Sequence, residues 1–349
     1  MDGVPCRVAE EEARALARDA FLRAGLPPRA AEATAGQLVL AEMMGITTHG
    51  LNRVKTYIDR LARGVADPAA LPVVERPAPA LLRVDGRNAL GTVVMVEALS
   101  AAMEAARATG IAAAFCRHST HFGAAAPYCH LACEAGFAAI VLSNATPVIP
   151  PAGGREARLG NNPIAVALPD PGGAHVIFDA ALSVSSRSAI RRARDEGRPI
   201  PPHWATDRHG APTTDAQAAL SGLLLPIGGT KGAGLALSVD LLAGVLSGAG
   251  FLDRIPDLEA TPGARQDLGH VLILIDADRL LPAAERGPRL DAFRRSLCTS
   301  APLDPAAPVR LPSDRARAQM ARAKRDGLPL PAALLAELRQ LAAAPREGD

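Results

Sequence analysis

The chain is predicted to fold as a mixed α/β protein with helices at both ends, and three observations predict it. Residues 9–63 carry apolar side chains at helical spacing, residues 81–179 carry apolar runs too short for helices, and the chain beyond residue 280 returns to a helical pattern. A length of 349 residues holds two medium units or one large one, and either buries enough apolar surface to fold without disulfides or metals.

Ala9–Ala24 and Pro28–Met44 read as a helical hairpin, because Gly25-Leu26-Pro27-Pro28 supplies a stop and a restart signal. A third helix over Leu51–Arg63 stops at Gly64 and gathers Val54, Ile58 and Leu61 on one stripe. Strands are expected at Leu81–Val84, Ile111–Cys116, Ala138–Ser143, Ile164–Leu168 and Val176–Asp179, with helices at Gly91–Thr109 and Pro127–Ala135. Arg187–Ala219, rich in Pro, Gly and Arg, leads to the glycine-rich turn Pro226–Gly234. The apolar run Ala233–Leu246 reads as one buried helix; it includes Asp240 and falls short of the roughly 20 residues that span a bilayer. A strand at His270–Ile275 and C-terminal helices follow. The expected division is a helical segment over 1–80, a mixed core over 81–285 and a helical segment over 286–349.

Hydrophobic residues make up 48% and charged residues 21%, which excludes a disordered or fibrous class. A net charge of +2 without a block of one sign gives no footprint for nucleic acid or an anionic membrane. The five cysteines (Cys6, Cys116, Cys129, Cys133, Cys298) are odd in number, and the acidic opening Met1–Glu12 has no apolar signal core. A cytoplasmic protein with reduced thiols is the expectation.

Four segments could carry chemistry. In Thr47-Thr48-His49-Gly50-Leu51-Asn52-Arg53 an imidazole sits about one helical turn from a guanidinium. Histidine suits proton exchange near neutral pH, and arginine forks onto a carboxylate; the same letters also describe a helix cap beside a surface histidine. Arg117-His118-Ser119-Thr120-His121-Phe122-Gly123 follows a strand and precedes a helix, where α/β proteins place ligand-contacting groups. Cys129-His130-Leu131-Ala132-Cys133 lacks the turn of a structural zinc site, so no metal is expected, and His118 and His130 read as structural or solvent-facing.

The third segment combines Ser143-Asn144-Ala145, Gly153-Gly154 and Gly160-Asn161-Asn162-Pro163, turn chemistry that lets backbone approach a ligand or simply builds loops. The fourth, Gly228-Gly229-Thr230-Lys231-Gly232-Ala233-Gly234, opens a helix whose N-terminal amides suit a phosphate. Its spacing matches neither G-x-G-x-x-G nor G-x-x-x-x-G-K-[ST], so neither a Rossmann domain nor a P-loop follows.

Taken in order, these segments resemble the malate/L-lactate dehydrogenase type 2 family over roughly Glu12–Leu338. Thr48-His49-Gly50 with Arg53 and Tyr57 is similar to its Ser-His-Gly signature, and His118–Gly123 to its N-S-x-H-F-G. Asn144, Gly153-Gly154 and Gly160–Pro163 are similar to its T-N, G-G and G-T-N-P stretches; Leu224–Leu237 and Leu268-Gly269-His270 match its later motifs. The resemblance implies a non-Rossmann, NAD(P)-binding α/β fold with a largely antiparallel sheet, in a homodimer whose N- and C-terminal helices pack together. It implies hydride transfer between NAD(P)H and a small 2-oxo acid. Reduction of a cyclic 2-imino acid is the alternative, and a degenerate member acting as a binding protein is a third reading.

Carried over, His49 is the proton donor, His121 lines the same pocket or shares its task, Thr48 and Arg53 hold the substrate, and Asp179 lies near cofactor and histidine. Cofactor contacts fall to Asn144, Gly160, Asn162, Asp179, Ala180, Ala181, Ser183, Arg187, Thr230, Lys231, Gly232, Pro312, Ser313 and Asp314. Departures cluster here: Ala145 replaces a hydroxyl, Ser185–Ala189 lacks a Gly-Lys pair, and Pro312-Ser313-Asp314 stands for P-G-E. Arg187, Arg191, Arg192, Arg194 and Arg198 form a solvated face or a seat for a 2′-phosphate, which favours NADP over NAD. Dimerisation is expected through Val39 and Met43 with Leu330, Leu334, Leu335 and Leu338, apolar stripes on the end helices that one domain is not expected to cover.

Overall fold

The computed structural model describes residues 6–258 and 260–343, so the first five residues of the acidic opening and the last six of the C-terminal segment lie outside it. β1 (Cys6–Val8) leads into α1 (Glu10–Arg23), α2 (Pro28–Met43), a 3-10 turn at Thr47–His49 and α3 (Arg53–Ala62). β2 (Val73–Ala78), β3 (Leu81–Asp85), α4 (Gly91–Thr109), β4 (Ile111–Ser119), α5 (Ala126–Glu134) and β5 (Phe137–Ser143) follow. Next come β6 (Pro147–Ile149), β7 (Leu159–Gly160), β8 (Ile164–Leu168), β9 (Val176–Ala180), α6 (Arg187–Asp195), α7 (Ala216–Leu220) and α8 (Thr230–Asp240). β10 (Leu268–Asp276), α9 (Ala277–Leu280), α10 (Ala283–Cys298), α11 (Asp314–Asp326), β11 (Leu328–Leu330) and α12 (Ala332–Ala343) close the chain.

The central sheet has seven strands in the order β2-β3-β4-β10-β5-β8-β9. Only β3 and β4 pair in parallel; every other neighbour is antiparallel, as expected. β4, β5 and β10 alternate small and branched apolar residues, which pack on both faces as a central strand requires. One core joins the sheet to α4 and α5. A second joins α1–α3 to α11, β11 and α12, so the two ends of the chain share one interior. A third lies under β6, β7 and α6–α8.

Three expectations need correction. β2 falls inside the stretch 1–80 expected to be helical; it is an exposed edge strand, where charge and proline are tolerated. Ala233–Leu246 is not one buried helix: α8 ends at Asp240, Leu241–Leu246 continues as a π-helix, and only one face is covered. Leu237, Leu241, Val245 and Leu246 on the other face are 46%, 51%, 52% and 64% exposed. The stripes offered for dimerisation, by contrast, are covered within the chain. Val39, Met43, Leu330, Leu335 and Leu338 are buried in the second core, because α12 lies along α1 and β11 pairs with β1.

Candidate active site

The His49 turn is held from behind by a buried acid. Glu42 on α2 accepts a hydrogen bond from the Leu51 amide at 2.9 Å, and its carboxylate lies so close to Gly50 that a Cβ there would collide with it. Burial pushes the Glu42 carboxyl above its ordinary range. The turn therefore requires glycine for space, and it delivers Thr48 and His49 to a cavity of about 320 Å³. Thr48 Oγ1 lies 3.0 Å from His49 Nδ1. Burial, with Arg53 adding repulsion, holds the His49 imidazolium down to about 4.

His121 enters the same cavity from the loop after β4, its ring stacked on His49 at 5.4 Å and 17°. Burial lowers its pKa well below the ordinary value, with His49, Arg60 and Arg53 adding to the effect. Both imidazoles are accordingly neutral at physiological pH. Asp179, at the end of β9, lines the opposite wall and caps α5 by accepting from the Ala126 amide at 2.8 Å. Burial raises its pKa, and the Ala126 and Ala125 amides oppose that shift.

The remaining wall is mostly apolar: Ile46, Phe122, Ala124, Ala125, Pro163 and Leu268. Among the described residues lining this cavity there is no lysine or arginine. It shares Ile46, Thr48 and Asp179 with a groove of about 540 Å³ bordered by Pro312, Ser313, Arg192 and Arg315.

Thr48, His49, His121, Asn144, Asp179, Ala180 and Ala181 thus meet at one cavity, with Pro312 and Ser313 in the adjoining groove. Arg53 does not line the cavity; its Nε donates to the Thr48 carbonyl at 2.7 Å, leaving the terminal nitrogens of the guanidinium. The two asparagines act as internal bolts. Asn144 donates to the Gly250 carbonyl and accepts from the Gly269 amide, while Asn162 accepts from the Ala145 amide and donates to the Ala236 carbonyl.

Gly160 and Gly232 are buried where a Cβ would strike the Ala145 and Ile227 carbonyls. Ser183 donates to the Ser185 carbonyl, and Asp314 accepts from the Leu311 amide at the start of α11. Thr230 and Lys231 stand exposed at the start of α8 and line neither cavity nor groove. Of the α6 arginines, Arg192 borders the groove, whereas Arg187 points a terminal nitrogen at the Leu220 carbonyl.

Two histidines set aside in the sequence have defined partners. His118 pairs with Asp85 at 2.9 Å. His130 meets Glu134 and His175, their donor atoms within 4.8 Å of one another. The Asp170 amide donates to His175 Nδ1 at 3.1 Å, so the proton sits on Nε2 and points at Glu134, 2.7 Å away. Nε2 therefore donates to Glu134 and presents no lone pair to a metal, and the contact is a hydrogen bond between a buried neutral imidazole and a largely exposed carboxylate. His175 lies 41 residues from Glu134, a separation at which sequence spacing gives no signal.

The sequence model of the malate/L-lactate dehydrogenase family matches residues 8–339. The chain is 37% identical to the Delta(1)-pyrroline-2-carboxylate reductase of Ancylobacter novellus, covering 97% of this chain and 98% of the relative. It is 36% identical to the (2R)-3-sulfolactate dehydrogenase (NADP(+)) of Chromohalobacter salexigens, over 96% and 98% of the two chains. The crystal structure of delta1-piperideine-2-carboxylate reductase from Pseudomonas syringae pvar. tomato superposes with a TM-score of 0.87 at 33% identity, covering 96% and 99%. With that match spanning both end helices, the central sheet and every segment that builds the cavity, the chain belongs to the malate/L-lactate dehydrogenase family of oxidoreductases.

Proposed function

We propose that the protein reduces a small cyclic 2-imino carboxylate with a reduced nicotinamide dinucleotide, and that NADPH is the preferred cofactor. The carrying observation is the cavity wall, which places two neutral imidazoles opposite an apolar surface and offers no cation for a second anionic group. A malate or sulfolactate skeleton brings a second carboxylate or a sulfonate and would bury it unpaired, which is costly. A five- or six-membered ring satisfies the apolar wall. Its iminium also brings its own proton, whereas an alkoxide must draw one from an imidazole that is neutral at pH 7.

The cavity and groove suit an elongated anionic dinucleotide, because they are neighbours that share Ile46, Thr48 and Asp179, and Arg192 and Arg315 border the groove. When bound, the reduced nicotinamide supplies the hydride. The chain's own residues bind, orient and exclude water. The terminal nitrogens of Arg53 are the candidate carboxylate clamp, His49 holds or accepts the proton at the substrate nitrogen, and the apolar wall packs the ring. Asp179 fixes the start of α5 and, with it, the Ala124-Ala125 wall.

The test is a comparison of kcat/KM for pyrroline- and piperideine-2-carboxylate against pyruvate, oxaloacetate and sulfopyruvate, each with NADPH and NADH. Higher kcat/KM for oxaloacetate or sulfopyruvate overturns the substrate reading and restores the 2-oxo acid reaction. We further infer a homodimer joined through the exposed Leu237, Leu241, Val245 and Leu246 face, since a self-complementary apolar patch closes by two-fold symmetry. Light scattering is expected to give a dimer that Leu246→Glu converts to monomer; a monomeric wild type overturns it.

A further inference from the structure

Tyr57 on α3 is fully buried, yet its hydroxyl finds one polar partner across 64 residues of sequence: Nδ1 of His121, at 2.8 Å. A second donor converges on the same atom. The Gly123 amide lies 3.3 Å from His121 Nδ1, turned back toward the ring by a φ of +89° that favours glycine. A backbone N–H donates and never accepts, so Nδ1 must present its lone pair, and the Tyr57 hydroxyl donates to that lone pair as well. In the neutral ring the proton then resides on Nε2.

We propose that Tyr57 is a positioning residue for the reaction: with the Gly123 amide it occupies His121 Nδ1, locks the Nε2–H tautomer, and makes His121 a neutral hydrogen-bond donor to the reacting atom. The inference rests on the reading of the cavity as a reductase site. Burial pushes the Tyr57 hydroxyl up to about 12, although Arg60, 5.8 Å over its ring, and Arg53 pull it down; it therefore stays protonated and keeps donating. The groups facing His121 are His49, Tyr57 and, at longer range, Arg60, Arg53 and His270, with Asp179 lining the same cavity; the groups that hydrogen-bond Nδ1 are the Tyr57 hydroxyl and the Gly123 amide, neither of them a carboxylate.

Division of labour between the stacked rings follows. His121, through its fixed Nε2–H, donates to the lone pair that develops on the substrate nitrogen as hydride reaches the iminium carbon, and His49, whose Nδ1 faces the Thr48 hydroxyl, accepts a hydrogen bond from the iminium N–H. A hydrogen bond donated to the neutral form of an imidazole lowers its pKa, so removing the Tyr57 hydroxyl raises that of His121.

The experiment uses the full-length protein and Tyr57→Phe, which keeps the ring and loses only the hydroxyl. Imidazole ¹⁵N shifts of the wild type are expected to show His121 protonated on Nε2, with Tyr57→Phe admitting the Nδ1–H tautomer. In turnover, Tyr57→Phe should lower kcat roughly 10- to 100-fold, below the 10²–10⁴ of a direct acid–base group, with cofactor KM unchanged and the acid limb of kcat moved to higher pH. In a His121→Gln background, where no tautomer exists, the same substitution should cost nothing further.

A wild-type His121 carrying its proton on Nδ1 overturns the proposal without any variant, as does Tyr57→Phe with unchanged kcat and pH profile. An equal kcat loss in the His121→Gln background does the same. Because the ¹⁵N assignment needs no substrate, it stands or falls separately from the reductase reading.

Discussion

At the residue scale, His49 and Arg53 make the sharpest predictions. His49→Ala should lower kcat by roughly 10² to 10⁴ with cofactor affinity nearly unchanged, as for a positioned acid–base group; near-normal turnover in stopped-flow assays would transfer the role to His121. Arg53→Lys should lose almost as much activity as Arg53→Ala. Its Nε already holds the Thr48 carbonyl, and a lysine can neither keep that bond nor present two donors to a carboxylate. Full activity in the lysine variant would remove Arg53 from substrate binding. His49, Arg53 and His121 stand out in the sequence because each falls in a short motif; that His49 and His121 stack in one cavity while Arg53 holds the Thr48 carbonyl beside it is a matter of the fold. The Tyr57–His121 bond is not legible in the sequence, since α3 and the loop after β4 meet only in the folded chain. Nor do the letters Asn144 and Asn162 say that both amides are spent on backbone inside the protein.

The elements differ in how plainly they announced themselves. Gly91–Thr109 and Ile164–Leu168 were readable to the residue, because glycine, periodicity and turn signals agree there. α6 hid in an arginine-rich passage; its helical phase, fixed by Ile190 and Ala193 packing inward and Ser186 capping the start, decides which arginine reaches the groove. That phase moves the proposed phosphate contact from Arg187 to Arg192. Arg192→Ala should therefore raise KM for NADPH while sparing NADH, whereas Arg187→Ala leaves their ratio near wild type. Steady-state titrations with both cofactors check this, and the opposite ranking would return the contact to Arg187. The π-helix after α8 was illegible for another reason: an apolar run reports hydrophobicity, and nothing in Leu241–Leu246 says which side is covered.

For the whole molecule, buried neutral histidines tie stability to pH. His49 and His270 are held down to about 4 and about 3 by burial, against 6.5 in the unfolded chain. Between pH 6.5 and those values the unfolded chain binds protons that the native state refuses, so stability is full above 6.5 and falls as pH drops toward 3. Tm measured by calorimetry should decline steadily across that window, and His270→Gln should flatten the decline; a level Tm from 6.5 to 4 would contradict it. The seven-strand sheet has its own consequence, which concerns the order of assembly. β10 lies between β4 and β5, yet follows β5 by 125 residues, from Ser143 to Leu268. During synthesis, β4 and β5 each wait with one edge open until the strand ending at Asp276 leaves the ribosome. Such a late, non-local insertion makes for slow folding, and chains truncated before Leu268 should aggregate through those two waiting edges.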